Sequence, residues 1–244
     1  MRWLFAILFI ALAACEPVTV ETRRSETTSI PSAPKGALAD RANSAARRFV
    51  SVVETVEPVA EAECRRRTQN WPCDFRIVVD DRRGQQPNAF QTEDNLGRPI
   101  LAFNLPLILS VENDDELAFV MGHEAAHHIL KHLAQTRESA TLGAVIFSGI
   151  AAISGASAEG VQSAEQIGAI VGARSFSKEF ELEADELGTI IAARAGFDPV
   201  RGAAFFSRIP DPGNRFLGSH PPNAARIEAV RRTAAGMSKP RLAF

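Results

Sequence analysis

The sequence predicts a mainly helical α+β domain with a small β-sheet, preceded by an export signal. Three observations indicate this fold class. Three short β-like segments are confined to residues 75–103, and nearly all of the chain from residue 104 onward has helical spacing. The third observation is size, because about 205 residues remain once the leader and a linker are set aside, which suits one domain with its own core.

The start of the chain has the features of a secretory signal peptide. Arg2 supplies a positive charge, residues 3–13 form an uninterrupted apolar run, and small residues precede Cys15. The run is shorter than the roughly 20 residues that a membrane-spanning helix needs. Small residues directly before a cysteine resemble the bacterial lipobox, so we expect residues 1–14 to be removed and Cys15 to carry a lipid. An ordinary signal peptide or a signal anchor is the alternative.

Residues 15–36 are predicted to form a flexible tether. The segment 16–35 is rich in Thr, Ser, Pro and Glu, and it lacks the apolar side chains that would offset its chain entropy. Such a tether has a root-mean-square reach of roughly 25 Å. We therefore expect a folded domain over residues 37–244, held near a membrane on the periplasmic side of the bacterial envelope, at the outer membrane rather than the inner one.

Charge and cysteine content narrow the class of protein. The formal net charge is −2, and no stretch clusters Lys and Arg with aromatic residues, so nothing indicates a nucleic-acid partner. In an oxidising compartment, Cys64 and Cys73 are expected to form a disulfide because they are an even pair close in sequence. Two free thiols are the alternative. Neither cysteine is expected to bind zinc, since the pair lacks the spacing of a zinc site.

The first half of the predicted domain combines a long helix with three strands. A helix is predicted over residues 38–67, where apolar residues recur at helical spacing: Leu38, Ala42, Ala45, Phe49, Val53 and Val56. Turns rich in Gly, Pro and Asp then separate three β-like segments, which are residues 75–80, 88–92 and 99–103.

The second half is predicted to be helical. Asn113 and the acidic residues after it form a strong start for a helix over residues 117–134. A second helix is predicted over residues 178–195, closed by Gly196, and a last helix over residues 223–235.

Residues 140–158 carry no charge and need a separate interpretation. They are built from Ala, Gly, Ser and Thr as much as from Ile and Val, and small residues contribute little to membrane insertion. No cluster of Lys and Arg flanks these residues, as would be expected if the flanking charges set the orientation of a membrane-spanning helix. We therefore predict a small-residue helix packed against the rest of the domain, with membrane contact as the alternative.

A metal-binding motif lies inside the helix predicted over residues 117–134. It is His123-Glu124-Ala125-Ala126-His127. Residues four apart lie on one helical face, so both imidazoles can bind one cation. Glu124 lies one position round the helix, where its carboxylate can reach a water rather than the metal. Two His ligands with a Glu general base are typical of a zinc hydrolase, and a solvated His/Glu face is the alternative.

A catalytic zinc needs a third protein ligand and an open position for water. In thermolysin-like enzymes, the third ligand is a Glu from a helix further along the chain. Here Glu181 and Asp185 share one face of the predicted helix, so one can bind the metal and the other can orient a ligating imidazole. The metzincin pattern fails, because Leu130 and Leu133 occupy the positions where it requires Gly and His.

Other polar residues near these motifs have simpler interpretations. The chain has no Tyr, so no tyrosine can stabilise an oxyanion; His220 can donate to a tetrahedral intermediate or be a polar loop residue. His128 points about 100° away from the adjacent predicted ligand, His127. His132 lies four residues after His128, on the same helical face as His128. We expect these two to form a polar helix face, with a second metal site as the alternative. Glu183 and Glu186 are expected to be solvated.

Together these features resemble the gluzincin metallopeptidase family that contains the HtpX heat-shock protease, the CAAX prenyl protease and BepA-type periplasmic proteases. The resemblance covers roughly residues 37–233 and is more specific than any one motif. The matching segments, in the order of that family, are Asn88-Ala89-Phe90, Asn104, Glu116-Leu117-Ala118, His123-Glu124-Ala125-Ala126-His127, Glu181-Leu182-Glu183-Ala184-Asp185 with Gly188, and His220-Pro221 with Arg226-Ile227.

The resemblance implies a zincin-like metallopeptidase domain in which the sheet lies beside the helix that carries the motif. It implies one Zn²⁺ per chain, bound by His123, His127 and Glu181. It also implies that Glu124 activates water and that Asp185 supports a ligand from behind.

Two further roles follow from the same resemblance. Arg226 is implied to position the wall of the active site. His220 is implied to act near the metal, as an oxyanion donor or a reversible extra ligand. One departure is Lys178, which stands where the family usually has Arg.

From the residues and the resemblance we expect a zinc endopeptidase that hydrolyses peptide bonds in unfolded or misassembled envelope proteins. Residues 88–90 are expected to form an edge strand to which an extended peptide adds. The alternative is an envelope chaperone or assembly factor, in which His220 closes a latent site. Glu124 favours the enzyme, because a scaffold has no use for a base beside a zinc ligand. Membrane-embedded proteolysis would require residues 140–158 to insert.

Overall fold

The computed structural model of the protein describes residues 35–213, 218 and 220–237. The predicted signal peptide over residues 1–14, the predicted lipid on Cys15 and most of the predicted tether lie outside the described residues. The elements in chain order are α1 (Lys35–Arg67), β1 (Arg76–Asp80), β2 (Ala89–Glu93), β3 (Pro99–Asn104), α2 (Leu105–Ser110), α3 (Asp114–Ile129), α4 (His132–Ile153), α5 (Ala158–Arg174), α6 (Ser177–Arg194), α7 (Pro199–Gly202) and α8 (Asn223–Met237).

The predicted mainly helical α+β fold is confirmed, and its sheet has three strands. β3 is the central strand, parallel to β1 and antiparallel to β2. Five of its six residues are buried, because β3 has a neighbour on each side. The three predicted strands agree with the observed ones to within one residue at each end. The segment predicted as an edge strand is at an edge, as β2.

The helix predicted over residues 38–67 is confirmed as α1, which begins three residues earlier at Lys35. Its buried stripe keeps the predicted helical spacing: Ala45, Phe49, Val52, Val56, Ala60 and Cys64. Cys64 forms a disulfide with Cys73, nine residues later, so the predicted pairing is present. The disulfide joins the end of α1 to the segment that leads into β1, and both cysteines are buried.

The helix predicted over residues 117–134 is wrong at its C-terminal end. It is capped by Asn113 as predicted, but it stops at Ile129. Lys131 adopts a left-handed conformation, with φ 62° and ψ 30°, and a right-handed helix cannot continue through such a residue. The chain then starts a new helix, α4, at His132. As a result His132 does not belong to the helix that carries the predicted ligands.

Residues 140–158 pair with a partner that the sequence did not predict. They do not form one helix, since α4 ends at Ile153, and α4 makes most of its contacts with α5 rather than with the rest of the domain. A Cβ added at Gly143 would lie 2.1 Å from the carbonyl oxygen of Gly168. The small residues therefore serve a close contact within a helical hairpin. In the described part of the chain, no helix is both long enough and apolar enough to cross a membrane.

The α4–α5 hairpin leaves several aliphatic side chains exposed to solvent. They are Leu142, Val145, Ile146, Ile150, Ile153, Ile167 and Ile170. This exposure follows from the pairing: the small residues face the partner helix, so the larger side chains of α4 and α5 remain on the outside.

α3 is the central helix of the domain, and α6 crosses it at a point of backbone contact. Fourteen of the sixteen residues of α3 are buried. A Cβ built on Gly122 of α3 would lie 2.8 Å from the carbonyl oxygen of Gly188, and a Cβ on Gly188 would lie 2.8 Å from the amide nitrogen of His123. No side chain separates the two helices here. The predicted bounds of α6 and α8 are confirmed to within two residues.

The segment after α6 folds back onto the start of α3 through ion pairs. Asp115 and Glu116, both buried in the first turn of α3, pair with Arg201 and Arg208 respectively. The two carboxylate oxygens of Glu116 lie 2.7 and 2.6 Å from the guanidinium of Arg208. A bidentate pair of this kind fixes orientation as well as distance.

Gly188→Ala is expected to lower the free energy of unfolding by about 1–3 kcal/mol, because the added methyl group meets backbone atoms that cannot rotate away. Chemical denaturation followed by circular dichroism measures this loss. The matched control is Gly149→Ala in α4, where an added Cβ meets nothing within 4 Å. That control is expected to be neutral or to gain up to about 1 kcal/mol from its better helix propensity. Equal stability of the two variants would contradict the contact.

Candidate metal centre

The structure brings the three predicted metal ligands together. His123 and His127 come from α3 and Glu181 comes from α6, and one ligand atom of each lies within 4.8 Å of the others. The two Nε2 atoms are 3.0 Å apart. The carboxylate oxygens of Glu181 lie 3.6 Å from Nε2 of His123 and 3.5 Å from Nε2 of His127. Among the described residues this is the single cluster of its kind.

These separations fit a tetrahedral zinc ion. Zinc binds nitrogen and oxygen ligands at about 2.0–2.2 Å, so neighbouring ligands of a tetrahedral site lie roughly 3.3 Å apart. The observed separations of 3.0, 3.5 and 3.6 Å are close to that value. Two imidazoles and one carboxylate also form the donor set of many catalytic zinc sites, which leave the fourth position open. The residues present can therefore hold Zn²⁺.

Asp185 and Arg226 contact the first predicted ligand, His123, on the side away from the cluster. Nδ1 of His123 lies 3.0 Å from Oδ1 of Asp185, so the ring donates to the carboxylate and turns its Nε2 towards the centre. Asp185 is fully buried, and Arg226 donates to both of its oxygens at 2.7 Å. The guanidinium also lies 3.3 Å from Glu181 and stacks over the ring of Phe206 at 3.9 Å. Arg226 thus lies beside the cluster, and its role as part of the active-site wall stays a prediction.

His132 contacts the second predicted ligand, His127, and the sequence did not predict this contact. Its Nδ1 lies 3.0 Å from Nδ1 of His127, and its Nε2 lies 3.1 Å from Glu183. The expected polar helix face is wrong here, because His132 is 3% exposed and stacks on Phe180 with centroids 4.4 Å apart. Burial, together with the neighbouring His127 and His123, lowers the pKa of His132 to about 3. The ring is therefore neutral.

His128 is a core residue, so the expected polar face is wrong here too. It is 1% exposed and lies between the rings of Trp71 and Phe75. Its Nε2 donates to the carbonyl oxygen of Pro72 at 2.6 Å. Burial lowers the pKa of His128, although the bond to Pro72 opposes this change. The alternative of a second metal site is not supported either, because the described metal-binding cluster does not include His128.

Glu124 is buried beside the ligands, with 8% of its surface exposed. Burial alone would lower the pKa of His127, but the contact with Glu181 and the negative charge of Glu124 outweigh burial and raise that pKa. For Glu181 burial acts in the opposite direction, and contacts with His127 and His220 lower its pKa well below the usual range. Glu181 is therefore an ionised carboxylate.

His220 lies on the exposed side of the same cluster. Its Nδ1 is 3.1 Å from Oε2 of Glu181, and 52% of its side chain is exposed. Glu183 and Glu186 are exposed, as expected, although Glu183 contacts His132. The cluster is therefore enclosed on the side of Asp185 and open on the side of His220.

Parts of the chain are similar to curated proteases. The beta-barrel assembly-enhancing protease of Escherichia coli is 31% identical over 145 residues, which are 50% of this chain and 28% of that protein. The protein of the same name from Yersinia pestis is 29% identical over 185 residues, 67% of this chain and 35% of that protein. The mitochondrial metalloendopeptidase OMA1 of Saccharomyces cerevisiae is 29% identical over 152 residues, 58% of this chain and 42% of that protein.

The chain thus spans less than half the length of these relatives. The match to peptidase family M48 is broader, because the model of that family covers residues 46–234. The matched range includes α3 with His123 and His127, α6 with Glu181, and α8 with Arg226. The predicted resemblance to a metallopeptidase family with BepA-type members is confirmed. From residue 46 to residue 234, this chain belongs to peptidase family M48.

Proposed function

We propose that this protein is a zinc-dependent endopeptidase that hydrolyses peptide bonds in unfolded or misassembled proteins of the bacterial cell envelope. One observation carries the proposal. Two imidazoles and an ionised carboxylate converge within 4.8 Å, next to the buried carboxylate of Glu124. A cation site alone would suit a structural role, but a base beside an open metal site suits hydrolysis.

Each residue of the cluster has a role in peptide hydrolysis. Bound Zn²⁺ would supply Lewis-acid activation of a water and of the peptide carbonyl. Glu124 accepts the proton of the attacking water and passes it to the leaving amine. Asp185 keeps the ring of His123 oriented, and Arg226 holds Asp185 in place through two hydrogen bonds. His220, on the open side, donates to the oxyanion that develops during attack.

The edge strand β2 suits the binding of an extended peptide. Among the described residues, β2 pairs with a strand on one side, β3, so its other side presents backbone donors and acceptors that no strand uses. β2 also lies against α3, which carries the motif. Peptides that add to a sheet edge must be extended, and folded proteins seldom offer such segments. This supports unfolded or loosely folded polypeptides as the substrates.

The proposed location is the periplasmic side of the envelope, at the outer membrane, with the domain tethered through a lipid on Cys15. The signal-like residues 1–14 and the polar segment 16–35 support this location. The disulfide between Cys64 and Cys73 suits an oxidising compartment. Two relatives are named beta-barrel assembly-enhancing proteases, so misassembled barrel proteins of that membrane are proposed as substrates. No nucleic-acid partner is proposed.

A second candidate function is that of a chaperone or assembly factor with a latent site. The observation that favours it is the contact of 3.1 Å between His220 and Glu181, which places a fourth metal-binding side chain beside the open position. If His220 binds the ion, no position remains for water. The same residue therefore either assists the reaction or blocks it.

Glu124→Gln is expected to leave zinc binding intact and to lower the cleavage of an unfolded test protein by about 10²–10⁴-fold, because the variant lacks the general base. Zinc content is measured by elemental analysis and cleavage by gel electrophoresis. A chelator should abolish cleavage by the parent protein, and added Zn²⁺ should restore it.

The matched control for this change is Glu186→Gln, which alters an exposed carboxylate of α6 away from the cluster. The control is expected to bind one zinc and to cleave as the parent does. Cleavage by Glu124→Gln at the parental rate would exclude Glu124 as the base. Failure of the parent to bind zinc would overturn the proposed function itself.

His220→Ala is expected to lower kcat by roughly 10²-fold while zinc content stays unchanged, because an oxyanion donor acts on the transition state more than on the bound ion. The measurement is steady-state cleavage of a quenched fluorescent peptide. A rise in kcat would instead support the latent-site candidate, since removal of a fourth ligand opens the position for water.

A further inference from the structure

His132 is a buried imidazole that contacts a proposed metal ligand although it belongs to a different helix. It begins α4, is 3% exposed, and places its Nδ1 3.0 Å from Nδ1 of His127. Its other nitrogen, Nε2, lies 3.1 Å from a carboxylate oxygen of Glu183 on α6. Three side chains from three helices thus form one line that ends at the metal cluster.

The protons along this line have one consistent arrangement when the metal is bound. Nε2 of His127 faces the other ligands, so it must offer its lone pair and the proton must sit on Nδ1. Nδ1 of His132 then accepts that proton in a hydrogen bond, which leaves the proton of His132 on Nε2. That second N–H donates to the carboxylate of Glu183. Every donor in the line has one acceptor.

The two proposed histidine ligands are therefore supported in two different ways. His123 donates directly to the buried carboxylate of Asp185. His127 reaches a carboxylate only through the ring of His132. A metal-ligating histidine almost always donates its second N–H to a carboxylate, a carbonyl or a water, and this partner sets the tautomer and the ring orientation. For His127 that partner is His132.

Local structure holds His132 in this position. If α3 had continued, His132 would lie five residues after His127 and about 140° round the helix, pointing away from the cluster. The left-handed residue Lys131 breaks α3 and redirects the chain. The ring of His132 then stacks on Phe180, with centroids 4.4 Å apart and planes at 13°. The turn at Lys131 and the stacking on Phe180 together place Nδ1 of His132 next to His127.

We infer that His132 is a positioning residue of the metal centre, that it holds His127 in the tautomer with a free Nε2, and that Glu183 holds His132 in turn. This inference rests on the proposed function in one respect, since it takes Zn²⁺ as the bound ion. Loss of such an outer partner typically weakens metal binding 10–100-fold. Because Glu183 is exposed and screened by solvent, we expect it to contribute less to zinc affinity than His132 does.

The test compares His132→Asn with His132→Leu, because these side chains have the same branched shape. Asn places an oxygen where Nδ1 of His132 now accepts from His127, whereas Leu places a methyl group there. If His132 only fills space against Phe180, Leu is the better replacement in this buried site. If His132 positions His127, Asn is the better replacement. The two roles thus predict opposite orders of metal affinity.

Zinc affinity of the purified full chain is measured by competition with a chromophoric chelator. His132→Leu is expected to bind zinc about 10–100-fold more weakly than the parent, and His132→Asn to retain most of the parental affinity. The d–d absorption of the Co²⁺-substituted protein is expected to change in the Leu variant alone. Parental affinity in the Leu variant, or weaker binding by Asn than by Leu, would overturn the inference.

A second readout needs no metal. In the parent, the hydrogen-bonded Nδ1 proton of His127 should give a downfield proton resonance that exchanges slowly, because His132 buries it. The resonance should persist in the Asn variant and disappear in the Leu variant; its absence from the parent would refute the hydrogen bond. If the parent shows the resonance but binds no zinc, the proposed function fails while the pairing of His127 with His132 stands.

A pair of surface variants covers the case in which the Leu variant does not fold. Glu183→Ala removes the exposed end of the line, and Glu186→Ala is its matched control on the same helix. Both should fold, since neither side chain is buried. Glu183→Ala is expected to lower zinc affinity several-fold and Glu186→Ala to leave it unchanged. Equal affinities would remove Glu183 from the proposed line.

Discussion

The backbone contact between α3 and α6 is the constraint on which the candidate metal centre depends. A Cβ on Gly122 or on Gly188 would lie 2.8 Å from the backbone of the facing helix, so only glycine fits at the crossing. His123 follows directly after Gly122, and Glu181 lies two turns before Gly188 on the same face of α6. The crossing therefore lies alongside the ligands. Wider spacing would leave the carboxylate out of reach of the two imidazoles.

The candidate metal centre also depends on an ion pair, because the helix crossing buries the carboxylate of Asp185. Asp185 is fully buried, and a buried carboxylate without a partner is strongly destabilising. Arg226 supplies the partner with two bonds of 2.7 Å and also lies 3.3 Å from Glu181. α8 is thus part of the candidate metal centre through Arg226, although none of its residues belongs to the cluster of His123, His127 and Glu181. The Arg208–Glu116 pair, which directs the chain from α6 back along α3, serves the same arrangement.

The residues predicted from sequence and those missed differ in the kind of contact on which they depend. His123, His127, Glu181 and Asp185 were predicted because each pair shares a helical face, and helical spacing can be counted along the chain. His132 was missed because Lys131 gives no turn signal, whereas Gly or Asn at a left-handed position would have given one.

The sequence by itself determined much of the local geometry: the bounds of α1, α6 and α8 to within about three residues, the pair of imidazoles on α3, and the faces of α6. These follow from a period of 3.6 residues and from capping side chains, which act over a few positions. The tertiary structure decided that α4 pairs with α5, that His128 enters the core, and that His132 lies against His127. Such outcomes depend on contacts between segments distant in sequence, which periodicity does not encode.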